Sequence, residues 1–169
     1  MGAEIIKVYR EHLPQLRLIG KRYSNNDRDQ HGSYGGKWQE WMEQGWFKPL
    51  ERLGSLQENG DAVVGAMRFN NGTFEYWIGA FYPADTEVPE GYSYADIPES
   101  DIATCWIYGR DDNGELYGKD PHEACVAKWL EKGWEIRDNP WFFERYVTPR
   151  FTTPDDQGNV ILDYCMYIK

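Results

Sequence analysis

Trp41-Met42-Glu43-Gln44-Gly45-Trp46 and Trp129-Leu130-Glu131-Lys132-Gly133-Trp134 match position by position at an offset of 88 residues. Each hexapeptide closes a stretch with helical spacing. Tyr34, Trp38, Trp41 and Met42 recur as one face of a helix over 34–44, and Gly45 stops it. The second helix spans 121–132, with Pro121 in its first turn, apolar residues at Ala124, Cys125, Ala127, Trp129 and Leu130, and Gly133 at its end.

The same offset of 88 aligns Glu75-Tyr76 with Asp163-Tyr164 and Ile19 with Ile107. A helix end and two strands at one common offset define an internal repeat. Each half reads strand, helix, strand, strand, over about 15–82 and about 101–169. The middle strands fall out of step because the first half carries an insertion after its helix. Strands are expected at 5–9, 15–23, 62–69, 73–82, 92–97, 101–108, 141–147 and 160–168, with a short helix over 47–53. Asn70-Asn71-Gly72 between two β-rich runs is a hairpin signal. The expected fold is therefore α+β, a single domain of two pseudo-symmetric β-α-β-β repeats sharing an antiparallel sheet. A pseudo-twofold axis leaves a crevice between such halves, and a ligand pocket is expected there.

Composition narrows the function. The 169 residues carry 18 Lys+Arg against 28 Asp+Glu, a net charge of −10. That balance argues against general nucleic-acid or anionic-membrane binding, which need cationic surface. Rings make up 16% of the chain, and on that scale they either fill a core or line a pocket. Cys105, Cys125 and Cys165 form no C-x-x-C pair and read as small apolar thiols of a reducing compartment. No apolar run reaches the length of a membrane span, and Met1 to Arg10 lacks a secretory layout, so a cytoplasmic location is expected.

The strand over 141–147 carries the chemistry. Phe142, Glu144 and Tyr146 share one face, with Trp141, Phe143, Arg145 and Val147 on the other. A carboxylate between two rings is costly unless paired, and unpaired its pKa rises. An organic cation would supply the pairing, and ring faces add about 0.5–2 kcal/mol per good cation–π contact. Tyr76, Trp77, Tyr108 and Tyr164 are the further wall candidates. A strand glutamate can also be a solvated surface residue, and a lone Trp or Tyr is often core. Trp41, Trp46, Trp129 and Trp134 are assigned to core packing or helix ends.

Further motifs resemble the gyrase-inhibitor-like effector-binding domain, found in some AraC- and MerR-type activators and as a free-standing protein. They are Leu18-Ile19-Gly20, Ala62-Val63-Val64-Gly65, Phe74-Glu75-Tyr76-Trp77-Ile78-Gly79, Pro89-Glu90-Gly91, Ile97-Pro98 and Phe143-Glu144-Arg145-Tyr146. The resemblance implies an aromatic pocket for lipophilic, often cationic, small molecules, with an acidic residue facing the ligand charge; by motif position this is Glu144. It also implies two alternatives. One is hydrolysis of strained cyclopropane-bearing toxins, with Glu144 as general base and Tyr146 as proton donor or positioner. The other is a gyrase-inhibitor-type module with a protein partner, a regulator or gyrase. No DNA-binding helical module is read on either side of the domain, so direct activator function is not expected of this chain alone.

Other signals are set aside. Gly32-Ser33-Tyr34-Gly35-Gly36-Lys37 is one residue short of a phosphate loop. His12, His31 and His122 have no ligand-spaced partners, so neither metal nor cofactor is expected.

Overall fold

Asn71 and Gly72 both take positive φ, 53° and 80°, and turn the chain tightly between two antiparallel strands, as the hairpin signal predicts. The computed structural model describes residues 2–53 and 63–169. In chain order its elements are β1 (Glu4–Leu13), β2 (Leu16–Tyr23), α1 (Gly35–Gln44), α2 (Phe47–Glu51), β3 (Val63–Asn70), β4 (Thr73–Pro83), β5 (Ser93–Ile97), β6 (Ser100–Gly109), α3 (Lys119–Glu131), β7 (Phe142–Tyr146) and β8 (Val160–Tyr167). A 3-10 turn at Asn25–Asp27 follows β2. Ala62, the expected start of β3, lies outside the described residues.

The fold is α+β. Eight strands form one antiparallel sheet in the order β1-β6-β8-β7-β3-β4-β2-β5. The inner six read the same from either side of the β7–β3 seam: β6-β8-β7 mirrors β2-β4-β3. Gly45 and Gly133 close the matched helices in the left-handed conformation, with φ of 68° and 81°. Arg68 pairs across to Glu75, and Arg145 to Asp163. The two arginines are 77 residues apart, 11 fewer than the 88 between their partners, which puts the extra residues of the first half between its helix and β3.

The outer strands are exchanged between halves. β1 precedes the first repeat yet pairs with β6, and β5 precedes the second yet pairs with β2. Only Pro14 and Gln15 join β1 to β2, although six strand positions separate them in the sheet. A flat sheet would set them about 29 Å apart, whereas such a link spans about 10 Å. The sheet therefore curls until its ends approach. Its inner face encloses a core drawn from all eight strands, including Leu13, Leu18, Trp77, Ile97, Ile102, Phe143 and Tyr167.

The helices cover the outer face. α1 and α2 pack on Ile19, Tyr76, Ile78 and Tyr82 through Trp41 and Leu50. α3 packs on Cys105, Ile107, Leu162 and Tyr164 through Cys125 and Trp129. Ala124, Ala127 and Leu130, read from the sequence as apolar positions of this helix, face outward because a single sheet contact fills only one narrow stripe. Trp41 and Trp129 are fully buried, while Trp46 and Trp134 are half-buried at the helix ends. All three cysteines are free and buried.

Two ion clusters hold the inner face. Arg145 bonds Glu11 at 2.7 Å and Asp163 at 2.8 Å, and Arg150 bonds Asp163 at 2.7 Å. The first half repeats the theme with Arg68 and Glu75 at 2.9 Å. Among the described residues no helix is long and apolar enough to cross a membrane.

Candidate functional site

The seam between β3 and β7 lies between the two helix-covered halves. Antiparallel pairing sets Gly65 opposite Glu144, Met67 opposite Phe142 and Val63 opposite Tyr146. On its other side β7 sets Glu144 opposite Tyr164 of β8. Cross-strand partners share a face, so Tyr164 and Glu144 stand side by side.

Gly65 leaves a gap beside the carboxyl group, and two rings enter it. A Cβ at position 65 would lie 2.7 Å from the Tyr76 hydroxyl and 3.2 Å from Cζ2 of Trp38. Trp38 of α1 donates its indole N–H to Tyr76 Oη at 2.8 Å. Its ring meets Tyr146 edge-on, centroids 5.1 Å apart. Tyr146 continues to Phe151 at 4.8 Å. The second half distributes bulk the other way. By the two offsets, Phe142 corresponds to Gly65 and Val126 to Trp38, so a large strand residue there meets a small helix residue.

Tyr146 donates its hydroxyl hydrogen to Glu144 Oε1 at 2.8 Å. Among the described residues Glu144 pairs with no Lys, Arg or His. Burial pushes its carboxyl pKa up to about 7, opposed by the Tyr146 hydrogen bond. Tyr76, Tyr117, Tyr146 and Tyr164 are all held above the ordinary tyrosine value, first by burial and then by the Glu144 charge. Four protonated phenols therefore surround one carboxyl group. Glu144, Phe142, Tyr146, Trp38 and Tyr117 are each half-buried, neither packed solid nor free in water.

The α3 side adds a histidine. His122 Nδ1 is hydrogen-bonded to the Tyr164 hydroxyl. Its ring tilts against Phe142 with centroids 5.4 Å apart. Burial holds His122 below the ordinary histidine pKa, opposed by Glu123. The imidazole is therefore neutral at pH 7.

Of the residues singled out in the sequence, Glu144, Tyr146, Phe142, Tyr76 and Tyr164 come together on the outer face. Trp77 and Tyr108 do not. Trp77 follows Tyr76 on the same strand and so points inward, where it meets Trp141 at 6.2 Å. Tyr108 follows the outward Ile107, shares the inner face of β6, and is bonded to Asp155. Trp38, Tyr117 and His122 were missed by the sequence reading. A signal existed for His122: it stands 88 residues after Tyr34, whose ring stacks on Tyr76 at 4.0 Å. Among the described residues no group of His, Cys, Asp and Glu is arranged to hold a metal.

No family model matches the sequence, and no curated protein does. Solved structures do. A putative bacterial transcription regulation protein from Staphylococcus aureus MU50 superposes with a TM-score of 0.69 at 18% identity, over 97% of this chain and 99% of its own. SAV2435, solved bound to tetraphenylphosphonium, gives 0.72 at 16% identity, over 97% and 94%. The C-terminal domain of EcmrR gives 0.56 at 11% identity, over 96% and 97%. At these identities the likeness is one of fold.

Proposed function

We propose that this chain is an effector-binding domain of the gyrase-inhibitor-like type, and that it binds lipophilic organic cations at the β3–β7 seam. One observation carries the reading: a half-buried carboxyl group, surrounded by rings, has a phenol as its hydrogen-bond partner and no cationic one among the described residues. A bound cation supplies the missing counter-charge, and its apolar groups gain burial at about 25 cal/mol per Å² against the rings. Charge sign and apolarity are then selected more strongly than shape. SAV2435, which shares the fold, is bound to a cation of this kind, and that supports the ligand class. A role as sensor, sequestering protein or partner of a regulator follows from such binding.

The test is a titration with tetraphenylphosphonium and with neutral triphenylphosphine oxide, on wild type and Glu144→Gln. The substitution keeps size and removes charge. Cation binding falls by more than 1 kcal/mol, on the scale of a charged hydrogen bond, while the neutral compound is unaffected. Equal losses for both would overturn charge recognition.

The Tyr146–Glu144 hydrogen bond favours a second reading, hydrolysis of a strained electrophile with Glu144 as general base and Tyr146 as proton donor. Product formation from such a compound, lost in Glu144→Gln, separates it from binding alone.

A further inference from the structure

The pseudo-twofold relation exposes one substitution that packing alone does not require. Tyr34, the residue that caps the start of α1, and His122, in the first turn of α3, correspond in the repeat, 88 residues apart. Each touches the tyrosine that its half sends to the seam. Tyr34 lies flat on Tyr76, with centroids at 4.0 Å and planes 3° apart. His122 meets Tyr164 edge-on, planes 86° apart, and bonds its hydroxyl. One half thus has a stacked phenol that stays neutral at physiological pH, and the other a group that can gain a proton.

The geometry points to His122 as a specificity-determining residue: neutral, it lets the seam take a cation, and protonated, it turns the cation away. This inference rests on the reading of the seam as a cation site. Its physical basis is a short chain of contacts. Tyr164 stands directly opposite Glu144 across β7–β8. Phe142, one position before Glu144 on the same face of β7, packs against the imidazole. His122 is thus linked to the carboxyl group that receives the guest through two intermediaries, Tyr164 and Phe142.

Protonation also reverses a hydrogen bond. Neutral His122 can accept the Tyr164 hydroxyl hydrogen at Nδ1. The imidazolium can only donate there. Tyr164 must then accept, and its own hydrogen is released from that bond. The charged and ionisable groups around the imidazole are few. Among the described residues β8 presents Tyr164 and α3 itself presents Glu123, which favours the protonated form, while Glu144 lies farther along β7, beyond Phe142. Burial opposes protonation more strongly.

Two groups of the site therefore change state as pH falls, and both changes disfavour a cation. Glu144 loses its negative charge, and His122 gains a positive one. Proton linkage converts this into a count, because the slope of log affinity against pH is the number of protons exchanged on binding. A site governed by Glu144 alone gives a slope of at most about one. A site governed by both approaches about two below the point where His122 begins to charge.

The experiment measures tetraphenylphosphonium affinity by calorimetry between about pH 5 and pH 8, on the full chain and on His122→Asn. The probe's charge is permanent, so all titration belongs to the protein. Asparagine keeps a polar partner for Tyr164 and cannot be protonated in this range. Wild type is expected to steepen toward two protons as pH falls below the ordinary histidine range, because burial holds His122 below it. Measured against its own affinity at about pH 8, His122→Asn is expected to lose several-fold less than wild type loses toward the acid end of this range, with a slope that stays near one proton. Superimposable profiles overturn the role of His122. An absence of cation binding by wild type at about pH 8 overturns the reading of the site instead. His122→Gln, judged by the same slope, serves if His122→Asn does not fold.

Discussion

Gly65 and Glu144 face each other across the seam between the two halves, one with no side chain and the other with the site's carboxyl group. The pairing makes the site asymmetric although the fold is not. Space left by Gly65 admits the Tyr76 hydroxyl and the Trp38 ring beside Glu144. The first half thus supplies two rings, and the second supplies the carboxyl group together with further rings.

Gly65→Ala should therefore disturb the site more than the sheet. The new methyl group would meet the Tyr76 hydroxyl at 2.7 Å, and Tyr76 is a buried, rigid side chain. Overpacking of this kind costs about 1–3 kcal/mol. The expected result is a lower denaturant midpoint together with weaker binding of tetraphenylphosphonium. Unchanged binding would show that Trp38 and Tyr76 do not form the wall beside Glu144.

Glu144 should make stability depend on pH in an unusual direction. Its folded-state pKa of about 7 lies above the ordinary value of 4.5. The protonated form is favoured by the fold, so its contribution is complete below the ordinary carboxyl range and is lost as pH rises through about 7. Glu144→Gln escapes that loss. It should exceed wild type in stability at pH 8 by on the order of 1–3 kcal/mol, and by much less at pH 4. Thermal melts at the two pH values check this, and a difference that does not vary with pH contradicts it.

Tyr146→Phe removes the hydrogen bond that, among the described residues, lowers the Glu144 pKa. The carboxyl group should then hold its proton to higher pH. Cation affinity at pH 7 is expected to fall several-fold and to recover by about pH 9, where the carboxylate forms regardless. A loss that persists at high pH would assign Tyr146 a direct contact with the ligand.

The repeat was legible because helix ends have strong local chemistry. Trp-x-Glu-x-Gly-Trp needs a left-handed glycine after a buried indole, and both copies have it. Strand faces were legible where the period-2 rule was applied, as for Phe142, Glu144 and Tyr146. The rule was not carried to Tyr76 and Trp77, adjacent residues that cannot share a face. Tyr108 had a warning in the repeat itself: at the offset of 88 its counterpart is Gly20, whereas Tyr76 and Tyr164 correspond to each other. The exchange of β1 and β5 between halves carried no local signal, because edge pairing joins residues far apart in sequence. Trp38, Tyr117 and His122 reach the seam from outside it, so only tertiary packing brings them to Glu144.

Asp163 should matter for stability and leave the site intact. It is fully buried on the inner face and bonds both Arg145 and Arg150. Asp163→Asn leaves those guanidinium groups undercompensated, at a cost of about 3–5 kcal/mol. Chemical denaturation measures this, and a cost below about 1 kcal/mol would show that Arg145 and Arg150 do not depend on the Asp163 charge.

The central claim is that a guest cation pairs with the Glu144 carboxylate. With a carboxyl pKa of about 7, roughly half the molecules hold that proton at pH 7 and must release it on binding. Calorimetry of tetraphenylphosphonium binding in two buffers of different ionisation enthalpy counts that proton. The predicted result is about half a proton released per cation by wild type and almost none by Glu144→Gln. Tight binding with no proton release, at equal strength in both proteins, would contradict the claim.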